Sequence, residues 1–302
     1  MRVRGRRHSG RNGRFAPGRG PLAVAIAAAL LTGCALVTPP GAAPLRYRDP
    51  VASDVAISSE LVYGTAVDQA GTTVTLRADV YSPVGDAVAA RPFVIFVHGG
   101  SFRAGSKTSA ELVDQARFFA QRGYVTASIT YRLGPTVGCV VPGAECVVAI
   151  VQAREDAQAA VRFFRSRAAE FGIDPERIAI AGTSAGAITA LNVGYGADLP
   201  DATVDGVSAE VRAAVSLSGA ALPGGAIDED DAPALLFHGT ADPLVPYGWA
   251  TATVDAAQAA GLTSYLVTWV DAGHVPYVAH REEILTLTAN FLYWTIGVGA
   301  SS

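Results

Sequence analysis

Apolar residues recur along this chain in two patterns. "PFVIFV" (residues 92–97) is short and apolar at every position, as a strand covered on both faces must be. "YVTASITY", "RIAIAG", "RAAVSLSG", "ALLFHG" and "SYLVTWV" have the same character further along. The second pattern is helical: Ile150, Ala153, Ala157, Val161, Phe164 and Ala168 repeat at three- and four-residue steps, and Gly172 sits where such a helix would stop. Residues 108–122 also read as a helix. "ELVYGTAV" and "TTVTLRADVY" alternate and are separated by Asp68 to Gly71, which predicts an antiparallel hairpin. Strands alternating with helices predict the α/β class: a mostly parallel eight-stranded sheet with helices on both faces.

Composition narrows this picture. With 302 residues, 50% hydrophobic and 17% charged, the chain can bury one sizeable core. The net charge of −4 hides an asymmetry: the first 33 residues carry seven arginines and no acid, so the rest is acidic. No cations cluster there, which argues against a nucleic-acid partner. The Arg-rich start runs into "PLAVAIAAALL" and then "LTGCAL", the order of a secretory signal. The apolar run covers roughly half of the ~20 residues a spanning helix needs. Leu31-Thr32-Gly33-Cys34 resembles a bacterial lipobox, which implies cleavage before Cys34 and lipid on that cysteine. A plain signal peptide or an uncleaved anchor is the alternative. The expected organisation is a signal peptide over 1–33, a flexible Pro- and Ala-rich tether over 34–56 and one folded domain over 57–298, in a lipoprotein of the cell envelope or a secreted protein. Cys139 and Cys146, seven apart, are expected to pair as a disulfide worth about 2–3 kcal/mol in an oxidising compartment. Two buried free thiols are the other possibility. No paired Cys or His ligands have zinc spacing.

A parallel α/β sheet puts its ligand site at the carboxyl ends of the strands. Ser184 lies in such a loop, in Gly182-Thr183-Ser184-Ala185-Gly186, where small flanks permit a tight turn that exposes the hydroxyl at a helix N-terminus. His98-Gly99-Gly100-Ser101-Phe102 ends another strand, Asp242 follows a third in "LLFHGTADPLVP", and His274 follows the last in "VTWVDAGHVPY". A serine hydroxyl needs a base to take its proton, and the base needs a carboxylate to orient it. His280 is a rival base and Asp271 a rival acid. His98 and His238 read as packing or loop-bracing residues, Glu155 and Asp156 as members of a structural salt bridge, and Asp228 to Pro233 as a solvated acidic turn rather than a calcium site.

In the order Ser184, Asp242, His274, each after its own strand, the chain resembles the α/β-hydrolase superfamily. Within it, the chain is similar to carboxylesterases with a His-Gly-Gly oxyanion loop, over roughly residues 57–298. The resemblance implies Ser184 as nucleophile, His274 as general base and Asp242 as its acid. The oxyanion would be held by the N–H groups of Gly100, Ser101 and Ala185. Many relatives have a third glycine where Ser101 stands, so Gly99 is an alternative donor. No cofactor and no metal is implied, and only about 16 residues lie between the strands near Leu217 and Ala234, too few for a large cap. The expected activity is hydrolysis of a short-acyl, aryl or glycan ester, small or polymer-borne, with membrane attachment only through Cys34. A serine peptidase or amidase on the same fold, or a non-catalytic surface module, are the alternatives.

Overall fold

The computed structural model describes residues 34–134, 144–199, 206–222 and 226–298. Eight strands form one sheet: β1 (Val55–Val67), β2 (Thr73–Pro83), β3 (Arg91–Val97), β4 (Val125–Ile129), β5 (Ile173–Thr183), β6 (Ala213–Leu217), β7 (Ala234–Gly239) and β8 (Ser264–Trp269), in spatial order β1-β2-β4-β3-β5-β6-β7-β8. β1 and β2 form the expected hairpin, β2 runs antiparallel to β4, and every other pairing is parallel.

The uniformly apolar strands follow from two cores. On β3, Phe93, Ile95 and Val97 enter one core and Val94 and Phe96 the other. Successive side chains point to opposite faces, so a doubly covered strand buries every position, and a polar residue on it, such as Ser128 on β4 or Ser216 on β6, is buried as well. Helices α2 (Ala144–Ser166), α4 (Ala185–Gly194) and α5 (Tyr247–Ala259) contribute to the first core. Helices α1 (Ala110–Ala120) and α6 (Tyr277–Thr295) contribute to the second. The long helical stripe breaks at Arg167 into α2 and a short α3 (Ala168–Phe171), which ends at Gly172 in the left-handed conformation, φ 63°.

The stretch expected to be a flexible tether is packed instead. Ala35, Tyr47 and Ala52 are buried, and Tyr47 meets Tyr124 edge-on at 5.1 Å between centroids. Asn290 Nδ2 donates to the Leu36 carbonyl (3.0 Å) and Trp294 Nε1 to that of Val37 (2.9 Å). Tyr47 N–H bonds Arg122 O, Val51 N–H bonds Gln121 O, and Arg46 reaches Asp86 at 2.6 Å. An aperiodic segment carries no period for its contacts to follow, yet one buried tyrosine and a few backbone bonds suffice to fasten it.

Candidate active site

The turn between β5 and α4 presents Ser184. Its backbone takes φ 55° and ψ −117°, a strained pair for a residue with a side chain. The flanking glycines make the turn possible: a Cβ on Gly182 would stand 2.1 Å from the Gly186 carbonyl oxygen, and one on Gly186 would stand 2.0 Å from that of Val97. Ser184 N–H is fixed to Leu217 O (2.8 Å), and its own carbonyl accepts from Ala187 N–H (2.9 Å) and Ile188 N–H (3.0 Å).

The histidine and acid loops converge on this hydroxyl. His274 Nε2 lies 2.7 Å from Ser184 Oγ, and His274 Nδ1 lies 2.7 Å from Asp242 Oδ2. A neutral imidazole protonated at Nδ1 donates to the carboxylate and accepts the serine proton at Nε2. The loops interlock, because a Cβ on Gly239 would meet the Ala272 carbonyl oxygen at 2.2 Å. Val275 N–H donates to Ser218 Oγ at 3.0 Å, tying the histidine loop to the end of β6.

Asp242 has no exposed side-chain surface. Burial alone pushes its pKa up, but hydrogen bonds from His238, His274, Val245 N–H and Leu244 N–H overcome this and hold the carboxyl well below the usual carboxylate range. Of the two readings for His238, loop bracing is the one the structure shows: its Nε2 donates to Val245 O at 2.8 Å and lies 3.2 Å from Asp242 Oδ2. Neither His238 nor Ser218 carries a motif signal, because each acts through a direction its side chain takes only in the fold.

The His98–Phe102 loop lies over Ser184. A Cβ on Gly99 would come within 3.1 Å of Ser184 Cβ, and one on Gly100, at φ 114°, would stand 2.1 Å from the Ala104 carbonyl oxygen. Ser101 and Phe102 continue the loop at φ 54° and 59°, so serine occupies a conformation that glycine would enter freely. His98 braces this loop as expected: its ring stacks on Tyr131 at 4.3 Å and its Nδ1 donates to Gly99 O at 2.7 Å. The N–H groups of Gly100 and Ser101 have no hydrogen-bond partner among the described residues. Ala185 N–H, in the first turn of α4, has no acceptor within its helix.

The rivals lie elsewhere. His280 stacks on Trp269 at 4.1 Å and faces Glu283, while Asp271 is exposed with its N–H bonded to Thr240 Oγ1. Asp156 and Glu155 both pair with Arg132. Asp228 and Asp231 cap one another's turn, and no group of ligands able to hold a metal occurs among the described residues. Cys146 is disulfide-bonded, and Cys139, its expected partner, lies outside the described residues.

Comparison with known proteins bears on the fold that carries these residues. The propionate-bound structure of Thermogutta terrifontis esterase 2 superposes with a TM-score of 0.63 at 28% identity, over 82% of this chain and 96% of that one. The fold is the α/β-hydrolase fold. In this α/β-hydrolase chain, the BD-FAE family model matches residues 78–221 and the TAP-like protein model residues 213–293. The "Probable isoprenylcysteine alpha-carbonyl methylesterase ICMEL1" of Oryza sativa subsp. japonica is 37% identical over 113 residues, 37% of this chain and 23% of that protein. Carboxylesterase 3B of Mus musculus is 33% identical over 120 residues, 37% of this chain and 19% of that protein. The α/β-hydrolase chain thus spans less than a quarter of the length of these two relatives.

Proposed function

We propose that the protein is a serine carboxylesterase that cleaves short-acyl, aryl or glycan esters through an acyl-enzyme. The observation that carries this is the pair of 2.7 Å contacts linking Ser184, His274 and Asp242. Ser184 Oγ attacks the ester carbonyl while His274 Nε2 takes its proton, and ionised Asp242 stabilises the imidazolium. The carbonyl oxygen, now negative, is received by the N–H groups of Gly100, Ser101 and Ala185, each such donor being worth about 3–4 kcal/mol in related acyl transfer. His274 returns the proton to the departing alcohol. Water, activated by the same histidine, then attacks the acyl-enzyme, and Ser184 leaves with the proton as the acid is released.

Two further points support small or accessible esters. Only sixteen residues separate β6 from β7, too few for a large helical cap over the mouth, and the similar Thermogutta esterase is described with propionate bound. The chain from Ala35 onward, assayed on p-nitrophenyl esters from acetate to palmitate beside the matching anilides, tests the reading. Turnover is expected to peak at short acyl chains and to fall by about 10⁶-fold in Ser184→Ala, the scale seen when such a nucleophile is removed. Turnover of anilides alone would favour an amidase. A folded protein inert on every substrate would overturn the catalytic reading.

We also propose that the protein is a cell-envelope lipoprotein attached to the membrane through lipid on Cys34. The Arg-rich, apolar and Leu-Thr-Gly-Cys sequence of the first 34 residues supports this.

A further inference from the structure

Residues 35–54 run along one edge of the molecule, and that edge is opposite the catalytic one. Ala35 shares a groove with Pro233, Leu262 and Thr263, the residues that lead into β7 and β8, and with Trp294 and Thr295 at the end of α6. Asp242 and His274 follow the other ends of those two strands. A six-residue strand such as β7 spans ~20 Å, and the 19 residues of α6, which begin just after His274, span ~28 Å before reaching Trp294. From Ala35 the segment continues past Arg122 and Gln121 at the end of α1 to Asp86, in the loop between β2 and β3. It stays on the same edge throughout.

We propose that Cys34 holds this edge against the membrane and turns the mouth of the active site away from it. The enzyme would then act on soluble or polymer-borne esters outside the membrane rather than on ester lipids within it. This rests on the lipoprotein reading above. The packing fixes the chain next to the anchor on this edge, since the buried Ala35 immediately follows Cys34 and the next two residues are bonded to α6. Beside them Val37 and Trp294 are 57% and 40% exposed, and an exposed tryptophan suits a membrane interface. The groove also holds Glu229 and Asp231 and is lined by no lysine or arginine, while Arg46, Arg48 and Arg122 lie farther along the same edge, the first two paired with Asp86 and Asp49.

The test uses the full chain, exported and processed in a bacterial host and reconstituted on phosphatidylcholine vesicles with brominated acyl chains, which quench nearby fluorophores. One environment-sensitive dye is attached at Glu229→Cys, beside Ala35, and in a separate variant at Val278→Cys, which is 92% exposed and four residues from His274. Hydrolysis of p-nitrophenyl acetate at the unlabelled rate shows that each labelled protein is folded. Loss of fluorescence at 229 and none at 278, with both dyes unquenched in Cys34→Ser, is the expected result. Equal quenching at the two sites, or stronger quenching at 278, would overturn the orientation while leaving the anchor in place. Failure of the parent chain to bind vesicles, or unchanged binding by Cys34→Ser, would overturn the lipoprotein reading and the orientation with it.

Discussion

Four donors converge on the buried carboxylate of Asp242, and two of them are histidines. His274 faces the nucleophile, whereas His238 shares its Nε2 proton between Asp242 and the Val245 carbonyl, closing the acid loop on itself. Removing His238 takes the side-chain donor from the Val245 carbonyl and one of four donors from Asp242, and a buried group that loses its donor costs about 1–3 kcal/mol. His238→Ala is therefore expected to lower kcat about tenfold with KM little changed, 1.4 kcal/mol being a factor of ten, and to lower the melting temperature. His238→Gln, whose amide can donate from nearly the same place, is expected to recover most of kcat. Steady-state kinetics and thermal unfolding of the two variants check this; full kcat in the alanine variant would reduce His238 to a space-filling role. Loop bracing was one of the two readings the sequence offered for His238, but its contact with Asp242 was illegible, because a histidine ending an apolar strand looks the same whether its ring fills space or holds a loop. Ser184, Asp242 and His274 were legible because each stands in a loop after its own apolar run, and the chemistry requires all three types.

Elements were legible where burial imposes a period. Phe93–Val97 of β3 and Ala234–Phe237 of β7 are covered on both faces and so apolar at every position, and the stripe of α2 appears at helical spacing. The break at Arg167 between α2 and α3 escaped the pattern, since Ala168 keeps helical spacing with Phe164 while the backbone between them does not stay helical. The β5–Ser184–α4 turn depends on distances that no period encodes. Because a Cβ on Gly186 would stand 2.0 Å from one carbonyl oxygen and 2.7 Å from another, Gly186→Ala must displace backbone rather than a side chain. It is expected to cost about 3 kcal/mol or more and to uncouple Ser184 from His274, so activity falls further than stability explains. Urea denaturation with activity measured on the folded fraction checks this, and a variant of unchanged stability and rate would refute the packing argument. Farther from the site, Asp156→Asn removes the buried partner of Arg132, which also bonds the Val67 carbonyl and so links α2 to β1. Breaking such a pair costs about 3–5 kcal/mol, less here because Glu155 still holds Arg132. A melting temperature lowered with kcat and KM unchanged is the expected outcome.

For the whole molecule, the segment over 35–54 behaves as a belt, and its effect on stability is expected to depend on pH in a calculable direction. Burial of Tyr47 against Tyr124 contributes about 3 kcal/mol, and Arg46 adds an ion pair to Asp86, which Arg91 also holds. The Arg46 bond is the largest influence on Asp86; with the Arg91 bond it outweighs burial and keeps the carboxyl well below its usual range. A carboxylate whose folded pKa is depressed contributes stability that is fully present above its unfolded pKa, about 3.9, and is lost as pH falls toward the folded value. A chain beginning at Val55 lacks Arg46 and so loses the larger part of that depression. The difference in unfolding free energy between chains beginning at Ala35 and at Val55 is therefore expected to be constant near neutral pH and to shrink as pH falls below about 4, where Asp86 is protonated in the unfolded state of both. The tyrosine contribution remains at every pH, so the difference narrows without vanishing. Because the belt lies on the edge opposite Ser184, kcat/KM of the shorter chain is expected to match that of the longer one under conditions where both are folded. Urea titrations of the two chains from pH 3 to 7 measure this directly. A difference that widens on acidification would mean that Arg46 does not depress Asp86, and no difference at any pH would mean that the belt is not fastened to the body in solution.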